Sequence, residues 1–298
     1  MLNINRLNLL TAFRLFLLNS LVWVWVEGYL SASTTRRIRN QSTTIQLHST
    51  NSPTHLVFPG GGIYFYWQAG FVSYLREAGY DPSACSATGA SAGALAATLT
   101  TTGVDFYEAT DLALRLAKDA GVWDRKNGLQ GIWGPMIHHW LDELLPDDAI
   151  ETLCRSNDPE RQESSLTLLL TPARNLFGPK RRVSCFTSKE DLIQCNMASV
   201  HLPWFLNGKL TRKFRNRRHI DGSFLSKSSD YRSHQEDVRE IIVHHSLDPK
   251  YQKRRMFDFV DALSPSGIYD MLEDGKSYAK SLLEAGLLDG IPKRCDTR

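Results

Sequence analysis

The sequence lacks the motifs that mark metal and nucleotide chemistry. Its 298 residues contain no HExxH motif, no P-loop and no GxGxxG spacing, so neither a metal nor a nucleotide is indicated, and we expect no cofactor. The five cysteines are widely spaced and form no CxxC pair, which argues against a zinc site and a disulfide framework and favours small core side chains. A formal net charge of +3 is too small to indicate nucleic acid as a partner.

Acidic residues are absent from residues 31–53, which are rich in Ser, Thr and Arg. Before them, Arg6 and Arg14 precede the apolar run LFLLNSLVWVWV. Residues 1–30 are therefore predicted to be a hydrophobic signal peptide or a membrane anchor. Residues 31–53 are typical of a transit peptide, as in the two-part presequences of algae with complex plastids, or of a flexible tether. We expect membrane association and entry into the endoplasmic reticulum, with a complex plastid or a lipid droplet as candidate destinations.

Strand-like and helix-like patterns alternate from Thr54 onward. THLVFPGGG (54–62) is typical of a buried strand that runs into a glycine loop. YFYWQAGFVSYLREAG (64–79) predicts a helix, SACSATG (83–89) a second strand, and AGALAATLTTTG (92–103) a second helix. This order predicts an α/β fold with a mainly parallel central sheet and helices on both faces, in which active sites lie at the carboxyl ends of the strands.

The same analysis extends to the rest of the chain. Further helices are predicted over 106–121, 134–146, 147–154 with an Asp cap, 188–199, and from about 256 onward. Further strands are predicted over 165–172, 181–188, 217–222 and 239–245. We assign residues 54–246 to one catalytic domain and 247–298 to a C-terminal helical extension.

TGASAG (88–93) contains one serine between two glycines at a predicted strand-to-helix turn. A GxSxG turn exposes its serine as a nucleophile, and small neighbours are needed because bulky ones would clash where the chain reverses. Gly89 and Gly93 complete this pattern around Ser91. The alternative is that Ser91 only caps the helix that follows.

A run of three glycines, Gly60, Gly61 and Gly62, follows the first predicted strand. Backbone N–H groups of such a loop can approach a developing oxyanion closely, and the N–H of Ala92 lies next to Ser91 in the sequence. Together they predict an oxyanion hole, whereas the alternative is a plain tight turn.

Asp221 follows a predicted strand in HIDGSF and is followed by Gly222. A carboxylate at a strand end can lie on the same edge of the sheet as Ser91 and accept its proton, although an Asp-Gly pair is also a common turn. A histidine is the other candidate base, since His244 or His245 would complete a Ser-Asp-His chain order.

The order of these motifs resembles that of the patatin-like phospholipases. PGGG before a helix, then GASAG, NMASVHLP and DG occur in this order, and SKEDLIQCNMASVHLPWF is especially similar to the adiponutrin-like branch. The resemblance covers roughly residues 54–245 and implies a three-layer patatin-like sandwich. It also implies a Ser-Asp dyad in which Ser91 attacks an ester, Asp221 acts as base and then acid, and the glycine loop holds the oxyanion.

This chain departs from the family pattern at two places. The family's glycine loop usually continues with a basic residue and another glycine, where this chain has Tyr64 and Phe65. The aspartate motif usually ends in Gly or Ala, where this chain has Ser223.

The resemblance implies a serine lipid acyl hydrolase of phospholipase A or acylglycerol lipase type, acting in lipid catabolism or remodelling on phospholipid, galactolipid or acylglycerol esters. A membrane or lipid-droplet surface is the expected partner, because the basic stretch KLTRKFRNRR (209–218) follows Trp204 and Phe205; a solvated loop is the alternative. The competing hypotheses are a Ser-His-Asp esterase and a catalytically silent lipid-surface protein.

Overall fold

The structure is a computed structural model, which describes residues 53–126, 128–154, 164–233, 235, 237–252 and 263–294. The predicted signal or anchor segment, and all but the last residue of the segment 31–53, lie outside the described residues. Across the part of the chain that is described, we find no helix with the length and apolar character needed to cross a membrane.

One mixed sheet forms the centre of the described fold. Its strands are β1 (Thr54–Phe58), β2 (Ser86–Gly89), β3 (Leu166–Pro172), β4 (Arg181–Val183), β5 (Arg212–Phe214), β6 (Arg217–Ile220) and β7 (Arg239–Ile242). The strand order is β5-β6-β3-β2-β1-β7, and β4 also pairs with β3. The four strands β7, β1, β2 and β3 are mutually parallel, whereas β4, β5 and β6 pair antiparallel.

Helices surround this sheet. They are α1 (Phe65–Glu77), α2 (Ala92–Thr101), α3 (Phe106–Asp119), α4 (Trp133–Leu144), α5 (Ala149–Leu153), α6 (Lys189–Ser199) and α7 (Pro265–Glu284). The predicted α/β three-layer sandwich with a mainly parallel sheet is confirmed. The core is built from buried side chains such as Leu56, Phe58, Trp67 and Leu168.

The predicted strand over 181–188 is too long. β4 ends at Val183 because the chain then leaves the sheet to begin α6, where the Ser188 hydroxyl accepts a hydrogen bond from the N–H of Asp191 at 3.1 Å. A second correction concerns the start of α5, where Asp148 occupies the cap position without a side-chain capping bond. A third correction concerns the cysteines, which were expected to be small core side chains. Cys85 and Cys195 are buried, but Cys154 is partly exposed and Cys185 is exposed.

Helix α7 packs closely against α1. A Cβ atom on Gly275 would lie 2.0 Å from the carbonyl oxygen of Trp67, and one on Gly70 would lie 1.8 Å from that of Leu272. The Trp67 indole N–H also donates to Asp248 at 3.0 Å. These contacts join the region after residue 246 to the core, while the boundaries assigned from the sequence stay a prediction.

Candidate active site

Ser91 lies at a sharp turn between β2 and α2. Its backbone has a positive φ of 54°, which is uncommon for a residue with a side chain. A Cβ on Gly89 would lie 2.3 Å from the carbonyl oxygen of Gly93, and one on Gly93 would lie 2.0 Å from that of Phe58. The turn therefore requires glycine on both sides of Ser91, as the GxSxG pattern predicts.

The Ser91 hydroxyl does not cap α2. The residue occupies the cap position without a side-chain capping bond, and its Oγ donates to Oδ2 of Asp221 at 2.6 Å. The structure thus brings together two groups that are 130 positions apart in the chain.

Asp221 follows directly after β6 and is almost fully buried. Its backbone carbonyl accepts a hydrogen bond from the Thr171 hydroxyl at 2.8 Å, which ties it to the carboxyl end of β3. A Cβ on Gly222 would lie 2.0 Å from the carbonyl oxygen of Leu169, so the turn can lie against β3 only with glycine there.

The two carboxylate oxygens of Asp221 have different partners. Oδ2 accepts from Ser91, whereas Oδ1 accepts from both the backbone N–H and the hydroxyl of Ser223, at 2.9 and 2.6 Å. Burial raises the pKa of Asp221 above its ordinary value, and the hydrogen bonds from Ser223 and Ser91 together with the charge of Lys180 oppose that rise.

Sequence reasoning did not assign a role to Ser199, which holds the turn at Ser91 in place. Its buried hydroxyl accepts from the N–H of Ser91 at 3.0 Å and donates to the carbonyl of Leu169 at 2.8 Å. The only sequence signal was its position in NMASVHLP, the motif between GASAG and DG.

The predicted oxyanion-hole residues all lie near Ser91. Gly62 and Ala92 line the cavity beside it, and a Cβ on Gly60 would lie 3.0 Å from that of Ser91. Among the described residues, none accepts a backbone hydrogen bond from the N–H groups of Gly61, Gly62 or Ala92. These amides stay the predicted donors of the oxyanion hole.

The two residues that depart from the family's glycine loop are both buried. Tyr64 stacks on the ring of His245, with the ring centroids 3.8 Å apart. Phe65 packs edge-on against Trp140 and lines the cavity beside Ser91. The departure therefore adds apolar surface beside the proposed nucleophile.

An apolar cavity of about 110 Å³ lies next to Ser91. Helices α1, α2, α3 and α4 all contribute to its lining, together with the loops around them, and the lining includes Leu95, Trp133, Ile137, Trp140 and Leu206. Apart from the Ser91 and Tyr66 hydroxyls, the lining side chains are apolar, so the cavity suits a hydrocarbon chain.

Within the part of the chain that the structure describes, neither candidate histidine is hydrogen-bonded to Ser91 or Asp221. The Nδ1 atom of His244 is 2.6 Å from the Ser246 hydroxyl, and His245 stacks on Tyr64. Burial lowers the pKa of His244 to about 4. This placement gives no support to the Ser-His-Asp hypothesis.

The basic stretch 209–218 forms most of the β5–β6 hairpin. Lys213 and Arg218 lie directly opposite each other across the two strands and are both exposed, whereas Arg215 pairs with Asp191. Phe205, expected beside the cations at a surface, is instead buried against Trp133. The exposed apolar residue next to the cations is Leu210, which is 49% exposed.

No group of three or more His, Cys, Asp or Glu side chains among the described residues is arranged to hold a metal ion.

A family model described as patatin-like phospholipase matches residues 56–228. An omega-hydroxyceramide transacylase of Homo sapiens is 31% identical over 182 residues, covering 58% of this chain and 31% of that protein. The omega-hydroxyceramide transacylase of Mus musculus is 29% identical over 184 residues, covering 59% and 28% respectively.

The chain spans less than a third of the length of these curated relatives. The family match covers more than half of the 298 residues and includes the glycine loop, Ser91 and Asp221. The chain belongs to the patatin-like phospholipase family, whose members are enzymes that act on lipids.

Proposed function

We propose that this protein is a serine lipid acyl hydrolase that uses a Ser91–Asp221 dyad and an acyl-enzyme intermediate. The observation that carries the proposal is the 2.6 Å hydrogen bond from the Ser91 hydroxyl to the buried Asp221 carboxylate, beside an apolar cavity. A nucleophile within hydrogen-bond reach of its base is the arrangement that covalent catalysis needs.

In the first half of the reaction, Asp221 accepts the hydroxyl proton as Ser91 Oγ attacks the carbonyl carbon of a lipid ester. The negative charge that develops on the carbonyl oxygen is stabilised by the N–H groups of the glycine loop and Ala92. Protonated Asp221 then donates its proton to the leaving alcohol, and the acyl group stays on Ser91.

In the second half, an acceptor attacks the acyl carbon of the acyl-enzyme while Asp221 removes the acceptor's proton. The bond between the acyl group and Ser91 Oγ then breaks, and Asp221 returns the proton to Ser91 Oγ. If the acceptor is water the reaction is hydrolysis, and if it is an alcohol the reaction is acyl transfer. Both relatives are omega-hydroxyceramide transacylases, which supports acyl transfer as the second candidate function.

We further propose phospholipid, galactolipid or acylglycerol esters as the substrate class and a membrane or lipid-droplet surface as the place of action. The exposed cations of the β5–β6 hairpin and Leu210 support contact with an anionic lipid surface. The proposed route through the endoplasmic reticulum depends on residues 1–53 and is tested by following the tagged full chain in cells.

The nucleophile is tested with the variants Ser91→Ala and Asp221→Asn on a panel of lipid esters. Each should lose activity by at least about 10³-fold, because the residues act as one unit, and Ser91→Ala should also lose labelling by a fluorophosphonate. The matched control is Ser226→Ala, which removes a buried hydroxyl that contacts Tyr231 at 3.1 Å instead of the dyad.

The outcomes separate the competing hypotheses. Full activity in Ser91→Ala would rule out this mechanism, and vesicle binding without turnover of any ester would favour the silent lipid-surface protein. Presenting the lipids in vesicles with and without phosphatidylglycerol tests the surface proposal, which expects faster turnover on the anionic vesicles.

A further inference from the structure

Ser223 places a second hydroxyl beside the Asp221 carboxylate. Its Oγ lies 2.6 Å from Asp221 Oδ1, as close as Ser91 Oγ lies to Oδ2, and its backbone N–H donates to the same Oδ1 at 2.9 Å. Oδ1 thus accepts two hydrogen bonds from Ser223, while Oδ2 accepts the hydrogen bond from Ser91. All three residues are buried.

The Ser223 side chain also touches the glycine loop. A Cβ on Gly60 would lie 2.7 Å from both the Cβ and the Oγ of Ser223. Ser223 therefore fills the space between the proposed base and the first glycine of the loop. A chain with Gly or Ala here would have no hydroxyl in this space.

We propose that Ser223 is a positioning residue that holds the Asp221 carboxylate in the ionised, correctly oriented state needed to accept the Ser91 proton. This inference rests on the proposed dyad function and goes beyond it. Rotation of the carboxylate about its Cβ–Cγ bond would break both Ser223 hydrogen bonds, so Oδ2 stays directed at Ser91. During proton transfer the proton moves from Ser91 Oγ to Oδ2 while Ser223 remains on Oδ1.

Ser223 acts alongside the other groups that face Asp221. The Lys180 ammonium, which donates to the Thr171 hydroxyl at 2.8 Å, favours the carboxylate through its charge. Tyr231 also lies near Asp221: burial raises the pKa of its phenol, and the charge of Asp221 adds to that rise. A hydrogen bond to the ionised form favours that form, and burial without such a bond disfavours it. Removing the Ser223 hydroxyl should therefore raise the pKa of Asp221 further.

The test compares wild type with Ser223→Ala and Ser223→Gly in full pH profiles of kcat and KM on a lipid ester. We expect about a tenfold fall in kcat near neutral pH, the size of one hydrogen bond to a charged group, with little change in KM. The acid limb of the profile should move to higher pH in the variants. Their kcat should approach that of wild type as pH rises, because more of Asp221 becomes ionised. Ser226→Ala is the control, with the wild-type profile expected.

Two results would overturn the inference. Wild-type kcat and acid limb in both Ser223 variants would show that the hydroxyl is not needed, and a fall by the same factor at every pH would indicate only a structural role. Near-UV circular dichroism of each variant checks that it is folded, and Ser223→Gly serves if Ser223→Ala does not fold. Failure of the dyad itself is distinguishable, because wild type would then show neither turnover nor fluorophosphonate labelling of Ser91.

Discussion

Ser91 holds its backbone in a conformation that costs free energy. A positive φ of 54° is unfavourable for any residue with a Cβ, by about 1–3 kcal/mol where the surrounding structure enforces it. The hydrogen bond from its N–H to Ser199 and the close packing of Gly89 and Gly93 enforce the turn. The consequence is that the proposed nucleophile lines the cavity with its hydroxyl directed at Asp221.

This strain predicts a stability difference between two inactive variants. Ser91→Gly and Ser91→Ala both remove the hydroxyl, but only glycine adopts a positive φ without steric cost. We expect Ser91→Gly to be more stable by about 1 kcal/mol, as measured by urea denaturation. Equal stability of the two variants would mean that the turn at residue 91 is unstrained.

At the scale of elements, helix ends and strand ends explain most differences between pattern and structure. The predicted helix from Tyr64 begins as α1 at Phe65, because Gly62–Tyr64 forms a 3₁₀ turn that continues the glycine loop. β6 ends at Ile220 so that Asp221 can turn towards Ser91. The spacing of apolar residues predicts whether a helix or a strand forms, whereas local contacts decide at which residue it ends.

The contact between α1 and α7 predicts opposite effects for two Gly→Ala substitutions in one helix. Gly275→Ala should destabilise the protein by about 1–3 kcal/mol, because the new methyl group would overlap the Trp67 carbonyl at 2.0 Å. Gly267→Ala is the matched control, since its nearest neighbour would be Ser264 Oγ at 3.4 Å. Alanine should stabilise that position slightly, by about 0.5–1 kcal/mol.

Thermal or urea denaturation of both variants measures this difference. If Gly275→Ala is as stable as wild type, α7 does not depend on its close approach to α1. In that case the region after residue 246 would behave as the appended extension predicted from the sequence.

At the scale of the whole molecule, the described fold buries several histidines, of which the sequence analysis considered only His244 and His245. Burial lowers the pKa of four of them to about 4, namely His55, His201, His219 and His244. It also lowers the pKa of His245 well below the ordinary value of 6.5.

These histidines predict that stability falls as pH drops from about 6.5 to about 4. In that range the unfolded chain takes up protons on its histidines while the folded chain keeps them neutral, so protonation favours unfolding. Asp221 opposes this weakly, since burial raises its pKa in the folded state. Urea denaturation midpoints measured between pH 7.5 and pH 4.5 should decrease steadily, whereas constant midpoints would contradict the assigned pKa shifts.

The sequence by itself determined the family, the α/β class and the glycines that a strained serine turn requires, because these depend on local spacing and on residue size. The predicted nucleophile and the predicted carboxylate also came from local patterns. Only the tertiary structure decided that these two side chains meet, because their approach depends on the pairing of β3 with β6 and not on any local sequence feature.

The tertiary structure also decided the surroundings of the dyad. Ser199 and Ser223 became visible as partners of Ser91 and Asp221 only once α6 and the turn after β6 were placed against β3. Hydroxyl groups carry no periodic signal in a sequence. The roles of these two are set by hydrogen bonds of 2.6 to 3.0 Å that form only when the chain is folded.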